Sequence, residues 1–227
     1  PEKWLLSILQ ARIKTVTEAM EELRTRTALS TAFYEVWNDL RWYLRRRTGQ
    51  PHGPTVRWVV ETWVKLMAPF APHICEELWE RMGKEGFVSL AKWPEPDEGL
   101  VDLEAEEAEE LVRGVLEDLV EIIRVLKVEK PKRICLYVAS SWKWEAYLRA
   151  REVARGGRLE VGTLIRALME KPALKARAKE VASLAKQLVK DVLDISPVER
   201  ERRLKLGVLD ELSVLKEASA FLAKETG

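Results

Sequence analysis

The sequence predicts a mainly α protein: a helical bundle over residues 1–128, then a small, incomplete, mostly helical α/β domain over 129–227. Three observations carry that expectation. Apolar residues recur at three- and four-residue steps through most of the chain, the periodicity of a helix with one buried face. The run Met67-Ala68-Pro69-Phe70-Ala71-Pro72-His73-Ile74-Cys75-Glu76-Glu77-Leu78-Trp79 sets two prolines where one helix must stop and another can start. Arg133 to Ala139, behind Pro131, is β-branched and apolar and reads as the best strand in the chain.

Leu5, Ile8, Leu9, Ile13, Val16, Met20 and Leu23 define an amphipathic helix over residues 3 to 25. A second helix follows with the stripe Leu29, Phe33, Val36, Trp37, Leu40 and Leu44, ending before the Gly- and Pro-rich loop Gly49 to Pro54. Thr55 can cap a third helix with Val56, Val59, Val60, Trp63 and Leu66 inward. That helix should stop near Ala68, and the next should start near Pro72, whose missing N–H is harmless in a first helical turn, with Phe70 as an apolar plug between them. Periodicity fails from Gly83 to about Asp102, and Phe87 to Trp93 reads as an extended segment packed across the bundle. A fifth helix is expected from Leu103 to Val128, with Leu111, Val115, Leu119, Ile122, Ile123 and Leu126 inward.

Beyond the strand, Ser140 or Ser141 can cap a helix through about Ala154, ended by Gly156-Gly157. Two more helices precede a fresh start at Ser196-Pro197-Val198-Glu199, which has the cap, the first-turn proline and the acidic residue of a helix N-terminus. The rest is helical with a break at Gly207. A lone strand leaves its backbone groups unpaired, so its partners are expected either beyond Gly227 or in Arg158 to Val161, a weak internal candidate.

The 227 residues carry a formal charge of +1, unevenly spread: Arg41, Arg45, Arg46 and Arg47 are basic, while residues 95 to 121 are crowded with Asp and Glu. Cys75 and Cys135 sit in apolar surroundings, which favours buried thiols in a reducing compartment over a disulfide. Charge interrupts every long apolar stretch, so no membrane partner and a cytoplasmic location are expected. The start at Pro1 inside an amphipathic pattern reads as a segment of something larger.

Arg41 and Arg45 lie one helical turn apart, with Arg46 and Arg47 spreading charge around the helix end. Guanidinium groups so placed can bind phosphate oxygens without reading sequence, or can complement the negative helix C-terminus and stay solvated. Lys127, Lys130, Lys132 and Arg133 form a second basic knot at the domain junction, open to phosphate binding or to pairing with Glu129 and the acidic helix. Trp142 and Trp144 could stack on a base or serve as core and interface plugs. His73, Cys75, Glu76 and Glu77 do not make a closed metal site, since His52 is the only other histidine, and His73 is better read as capping or hydrogen-bonded. No Ser or Cys comes with a base for nucleophilic catalysis, so neither a catalytic residue nor a metal is assigned. A helical protein-interaction scaffold is the alternative that needs no nucleic acid.

The corner Pro69-Phe70-Ala71-Pro72-His73, followed by Ile74 to Trp79, resembles the anticodon-binding-type helical bundle of class I aminoacyl-tRNA synthetases for aliphatic amino acids. His73, Arg41 to Arg47, and Lys130-Pro131-Lys132-Arg133 leading to Trp142-Lys143-Trp144 are similar to the archaeal and eukaryotic cytosolic leucyl-tRNA synthetases. The resemblance implies a C-terminal segment that holds and positions tRNA(Leu) through Arg41, Arg45, Arg46, Arg47, Lys130, Lys132 and Arg133, with Pro69, Phe70, Pro72, His73 and Trp79 as the structural motif. It also implies that catalytic and editing domains of the parent chain are its partners, and that ATP and Mg belong to the parent catalytic domain. The His-x-Gly-His and Lys-Met-Ser-Lys-Ser type signatures of that domain do not occur here, so the segment alone should need no cofactor and be inactive.

Overall fold

The structure, a computed structural model, describes residues 1–128, 131–156 and 159–227, apart from the side chains of 197–199. It divides into two units, Pro1–Lys130 with Glu217–Gly227, and Pro131–Lys216. The sequence expectation kept all of 129–227 together. Instead, the end of the last helix belongs to the first unit.

The first unit is built around α1 (Glu2–Glu21), which packs against α2 (Thr25–Ser30), α3 (Val36–Arg46), α4 (Gly53–Met67) and α6 (Leu103–Leu126). Trp4, Leu5, Leu9, Ile13, Val16 and Ala19 are its buried face, and complete burial of one such large side chain contributes ~1.5–3 kcal/mol. Leu23 does not extend this face. The helix ends at Glu21, and Leu23 turns left-handed with φ 56° and is 83% exposed.

Between α2 and α3 the chain makes a π turn, Thr31–Glu35, in which Trp63 donates its indole N–H to the Ala32 carbonyl at 2.7 Å. The inward positions here are Ala28, Ala32, Val36, Leu40 and Tyr43, one residue away from most of the bulky stripe expected from sequence. Ala28 and Ala32 have no side-chain bulk to hold the helix off the core. Leu29, Phe33, Trp37 and Leu44 are therefore exposed, although Trp37 stacks on Trp63 at 5.6 Å.

The proline corner forms as expected. Helix α4 ends at Met67, whose carbonyl accepts from the N–H groups of Phe70 and Ala71, and Pro72 opens α5 (Pro72–Arg81). Phe70 packs partly buried against the core. Thr55 does not cap α4. It lies buried inside the first turn, its hydroxyl 2.8 Å from the His52 ring.

The aperiodic stretch after α5 is a strap along α1. Trp93 donates to the Thr17 hydroxyl, Asp97 N–H to Gln10, and Asp102 N–H to the Ser7 hydroxyl, at 2.9, 2.9 and 2.8 Å. These bonds explain why polar Ser7 and Gln10 are buried on an apolar face. Phe87 to Trp93 is not a continuous extended run, because Val88–Leu90 is a 3-10 turn whose first N–H groups, of Val88 and Ser89, are bound by the Glu76 carboxylate. Asp102 then caps α6 by accepting from Ala105 N–H.

Helix α6 buries Glu109, Val112, Leu116 and Leu119. Ile122 and Leu126, expected inward, are exposed because the helix outruns the core before it ends at a left-handed Lys127.

The second unit comprises α7 (Ser141–Ala154), α8 (Val161–Met169), the short α9 (Pro172–Lys175), α10 (Ala178–Leu193), α11 (Pro197–Leu206) and the start of α12 (Glu211–Thr226). Ala146, Ala150 and Ala154 give α7 a small-residue edge that packs against Leu164, Leu168, Val181, Ala185 and Leu188 of α8 and α10. Gly207 breaks the chain after α11 with φ 78°.

The α/β character expected for this region is absent among the described residues, which hold no strand. Residues 133–139 carry no ladder, and Tyr137 is 95% exposed. The apolar run has no edge to pair with, and Ala139 N–H goes to the Glu211 carboxylate instead. Of the other candidate, Arg158 lies outside the described residues and Val161 opens α8. Cys75 is buried, which pushes its thiol pKa up, whereas Cys135 is exposed rather than buried as expected.

Candidate nucleic-acid interface

The four arginines at the end of α3 have different surroundings. Arg41 is exposed and makes no ion pair with a described residue. Arg45 is about half exposed, but its guanidinium binds the Glu225 carboxylate and lies 5.8 Å from the Trp42 ring centroid. Arg47 reaches Glu2 at 3.0 Å and the Gln50 carbonyl at 2.9 Å.

Arg46 points inward. Its side chain is 4% exposed, 3.2 Å from Glu109, paired also with Glu217 and seated over the Phe221 ring. A guanidinium so enclosed cannot meet a phosphate without breaking the core. Arg46 is thus a structural residue rather than part of a binding surface. The helix places it there because it shares a face with Val36, Asp39 and Tyr43.

Beside this cluster, Arg113 of α6 lies 4.7 and 4.6 Å from the ring centroids of Trp4 and Trp42. It borders a groove of about 470 Å³ with Asn38, Asp39, Arg45, Glu117 and Glu121. The acids outnumber the arginines there, so the groove is a poor phosphate pocket. Burial pushes the Asp39 carboxyl up against the pull of Arg12, which it meets at 2.8 Å.

Lys132 and Arg133 are exposed in the second unit, and Lys130 lies outside the described residues. Trp142 packs partly buried on the second core with Arg177 5.7 Å from its ring centroid, and Trp144 meets Tyr147 edge-on.

Of the corner residues, Trp79 is 6% exposed and holds Lys65 and Lys84 over its ring at 5.4 and 5.7 Å. His73 does not cap α5, and its side chain makes no hydrogen bond with a described residue. It is exposed on the first turn, and the cap position is Ala71. Among the described residues no group of three or more His, Cys, Asp or Glu is placed to hold a metal ion, and no helix is long and apolar enough to cross a membrane.

Sequence reasoning missed Glu109, the acid that holds Arg46 and accepts the Trp42 indole N–H at 2.7 Å. The signal was present. Ala105, Glu109, Val112, Leu116 and Leu119 follow four- and three-residue steps, so Glu109 stands on an otherwise apolar stripe.

The first unit is thus a helical bundle with Arg46 locked inside and Arg41 exposed at its surface. The chain belongs to the anticodon-binding domain family of tRNA ligases, whose profile it matches over residues 2–136. It is 44% identical over its whole length to the leucine–tRNA ligases of Pyrococcus abyssi and Pyrococcus furiosus, covering 22% of each. To that of Methanosarcina mazei it is 43% identical, covering 23%. The chain therefore spans about a fifth of the length of the curated relatives it matches.

Proposed function

We propose that this chain is the tRNA-holding segment of a leucine–tRNA ligase, contributing orientation rather than bond chemistry. The observation that carries the reading is the similarity to leucine–tRNA ligases across the full chain, joined to the family match of residues 2–136. In such a ligase, leucine, ATP and Mg would be handled elsewhere in the polypeptide, and this segment would fix the tRNA body so that its acceptor end reaches the activated amino acid.

Arg41 is the bundle's contact in this reading, because it is exposed and makes no ion pair with a described residue. Arg45 and Arg47 can join by exchanging Glu225 and Glu2 for phosphate oxygens, and Lys130, Lys132 and Arg133 add cations further along the chain. Arg46 takes no part. Contacts of this kind position a nucleic acid without reading its bases.

The test is binding of a leucine tRNA transcript to the 227-residue chain, compared with the Arg41→Ala and Lys132→Ala/Arg133→Ala variants. Weaker binding in both, with unchanged melting, is expected. Binding unaffected by either variant would remove these residues from the interface, and no binding by the unsubstituted 227-residue chain would favour a protein-interaction scaffold.

A further inference from the structure

Formal charge is divided between the two units. Residues 131–216 carry 19 Lys and Arg against 11 Asp and Glu, a net charge of +8, while the rest of the chain carries 19 against 26, a net charge of −7. Most of the family match therefore falls on the acidic unit. Long-range attraction for a polyanion is centred on the other.

Within the basic unit, residues 161–190 hold seven Lys and Arg against two acids. Both acids are engaged: Glu170 with Arg149 and Glu180 with Arg177, at 2.9 and 3.2 Å. Arg166, Lys171, Lys175, Lys179, Lys186 and Lys190 are exposed and form no ion pair with a described residue.

Helix α10 arranges three of these. It buries Val181, Ala185, Leu188 and Val192, so the opposite face presents Lys179, Ser183, Lys186 and Lys190 at steps of four, three and four residues. At ~1.5 Å rise per residue, Lys179 to Lys190 spans ~16 Å along the helix. The stripe ends at Asp194, one turn further on.

We propose that this lysine face of α10 docks an RNA phosphate backbone and supplies a larger share of the tRNA affinity than the arginines of α3. The inference rests on the tRNA-holding reading above and places its main electrostatic contact. Three open ammonium groups on one rigid helix outnumber the single open Arg41. Lysine binds phosphate as a point charge, which suits a contact that follows backbone shape rather than sequence. A bilayer is a poorer partner, because an interfacial helix must offer an apolar face to the lipid, and that of α10 is spent on the core.

The experiment uses the 227-residue chain and a leucine tRNA transcript, with fluorescence anisotropy read across a salt series. Lys179→Ala/Lys186→Ala/Lys190→Ala should weaken binding by about tenfold or more. It should also lower the slope of log K against log salt by about 2–3, at ~0.9 per lost phosphate contact. Replacing the same three with Arg should keep both, and Arg41→Ala should lower the slope by no more than about one. Single Lys186→Ala, with a loss of about one contact, keeps the test decisive if the triple variant misfolds.

If the unsubstituted 227-residue chain binds tRNA and the triple Ala variant matches it, the lysine face is overturned while the tRNA-holding reading stands. If the unsubstituted 227-residue chain fails to bind tRNA, that reading falls and takes this one with it. Loss of binding to phosphatidylserine vesicles without loss of tRNA binding would reassign the face to a membrane and overturn the proposal.

Discussion

Arg46 and Glu109 face each other at 3.2 Å with side chains 4% and 5% exposed, an ion pair almost wholly withdrawn from water. Breaking one side of such a pair leaves an uncompensated charge in the core. Arg46→Ala and Glu109→Ala should each destabilise the chain by ~3–5 kcal/mol in urea unfolding. Arg46→Met with Glu109→Leu should recover much of that loss, though not all, because the Trp42 indole N–H also loses its acceptor. A change below ~1 kcal/mol for either single variant would mean that the pair is solvated.

Phe221 fastens the end of α12 to the first unit. It is fully buried, edge-on to Trp42 at 5.7 Å, with Arg46 over its ring. Phe221→Ala should destabilise by ~3–5 kcal/mol. It should also open 217–227 to proteolysis well before the rest of the first unit, and free Arg45 from Glu225.

The corner residues separate cleanly into structural and inert. Trp79→Ala removes a buried ring stacked under two ammonium groups and should lower stability by ~3–5 kcal/mol. His73→Phe changes an exposed side chain with no partner among the described residues and should stay within ~0.5 kcal/mol. Thermal unfolding of both variants measures the contrast.

Acid stability follows from Glu61 and Glu76. Burial pushes Glu61 up, but Lys84 and Lys65 outweigh it and hold the carboxylate below its ordinary 4.5. Desolvation of Glu76 is likewise outweighed by the N–H groups of Val88 and Ser89. A carboxylate depressed in the folded state stabilises fully above its unfolded pKa, and that stabilisation is lost as pH falls through the folded value. The melting temperature should therefore hold from neutral pH to about 5 and drop below about 4, and Glu61→Gln and Glu76→Gln should each flatten the drop. An unchanged acid profile in both would remove these carboxylates from the balance.

Much of the fold was legible because apolar periodicity and proline placement are local signals. Pro72 opening α5 and the Gly207 break needed no tertiary knowledge, whereas Ser140 stands at the N-cap position of α7 without the side-chain cap bond expected of it. Faces were harder to read. Ala28 and Ala32 take the core side of α2 and the π turn because close helix approach rewards small side chains, while Phe33 and Trp37, with the greater hydrophobicity, stay outside. The strand at 133–139 was misread because β propensity describes a fit to neighbours that this run does not have.

At the candidate site, sequence located the arginine cluster but not the fate of its members. Arg41 and Arg46 are five residues apart and chemically identical. What separates them is Glu109, 63 positions further on from Arg46, and Glu217 on the last helix, and pairing over that distance has no local signature. The lysines of α10 were visible as residues, but that they pair with no described residue became evident only once Glu170 and Glu180 were found with Arg149 and Arg177.

The most direct measurement is the affinity of the 227-residue chain for a leucine tRNA transcript between about 50 and 200 mM salt. Phosphate contacts by several open cations predict binding that weakens steeply as salt rises, with a log–log slope of about 3 or more. Binding that is absent at low salt, or present and indifferent to salt over that range, would contradict the assignment of this chain as a tRNA-holding segment.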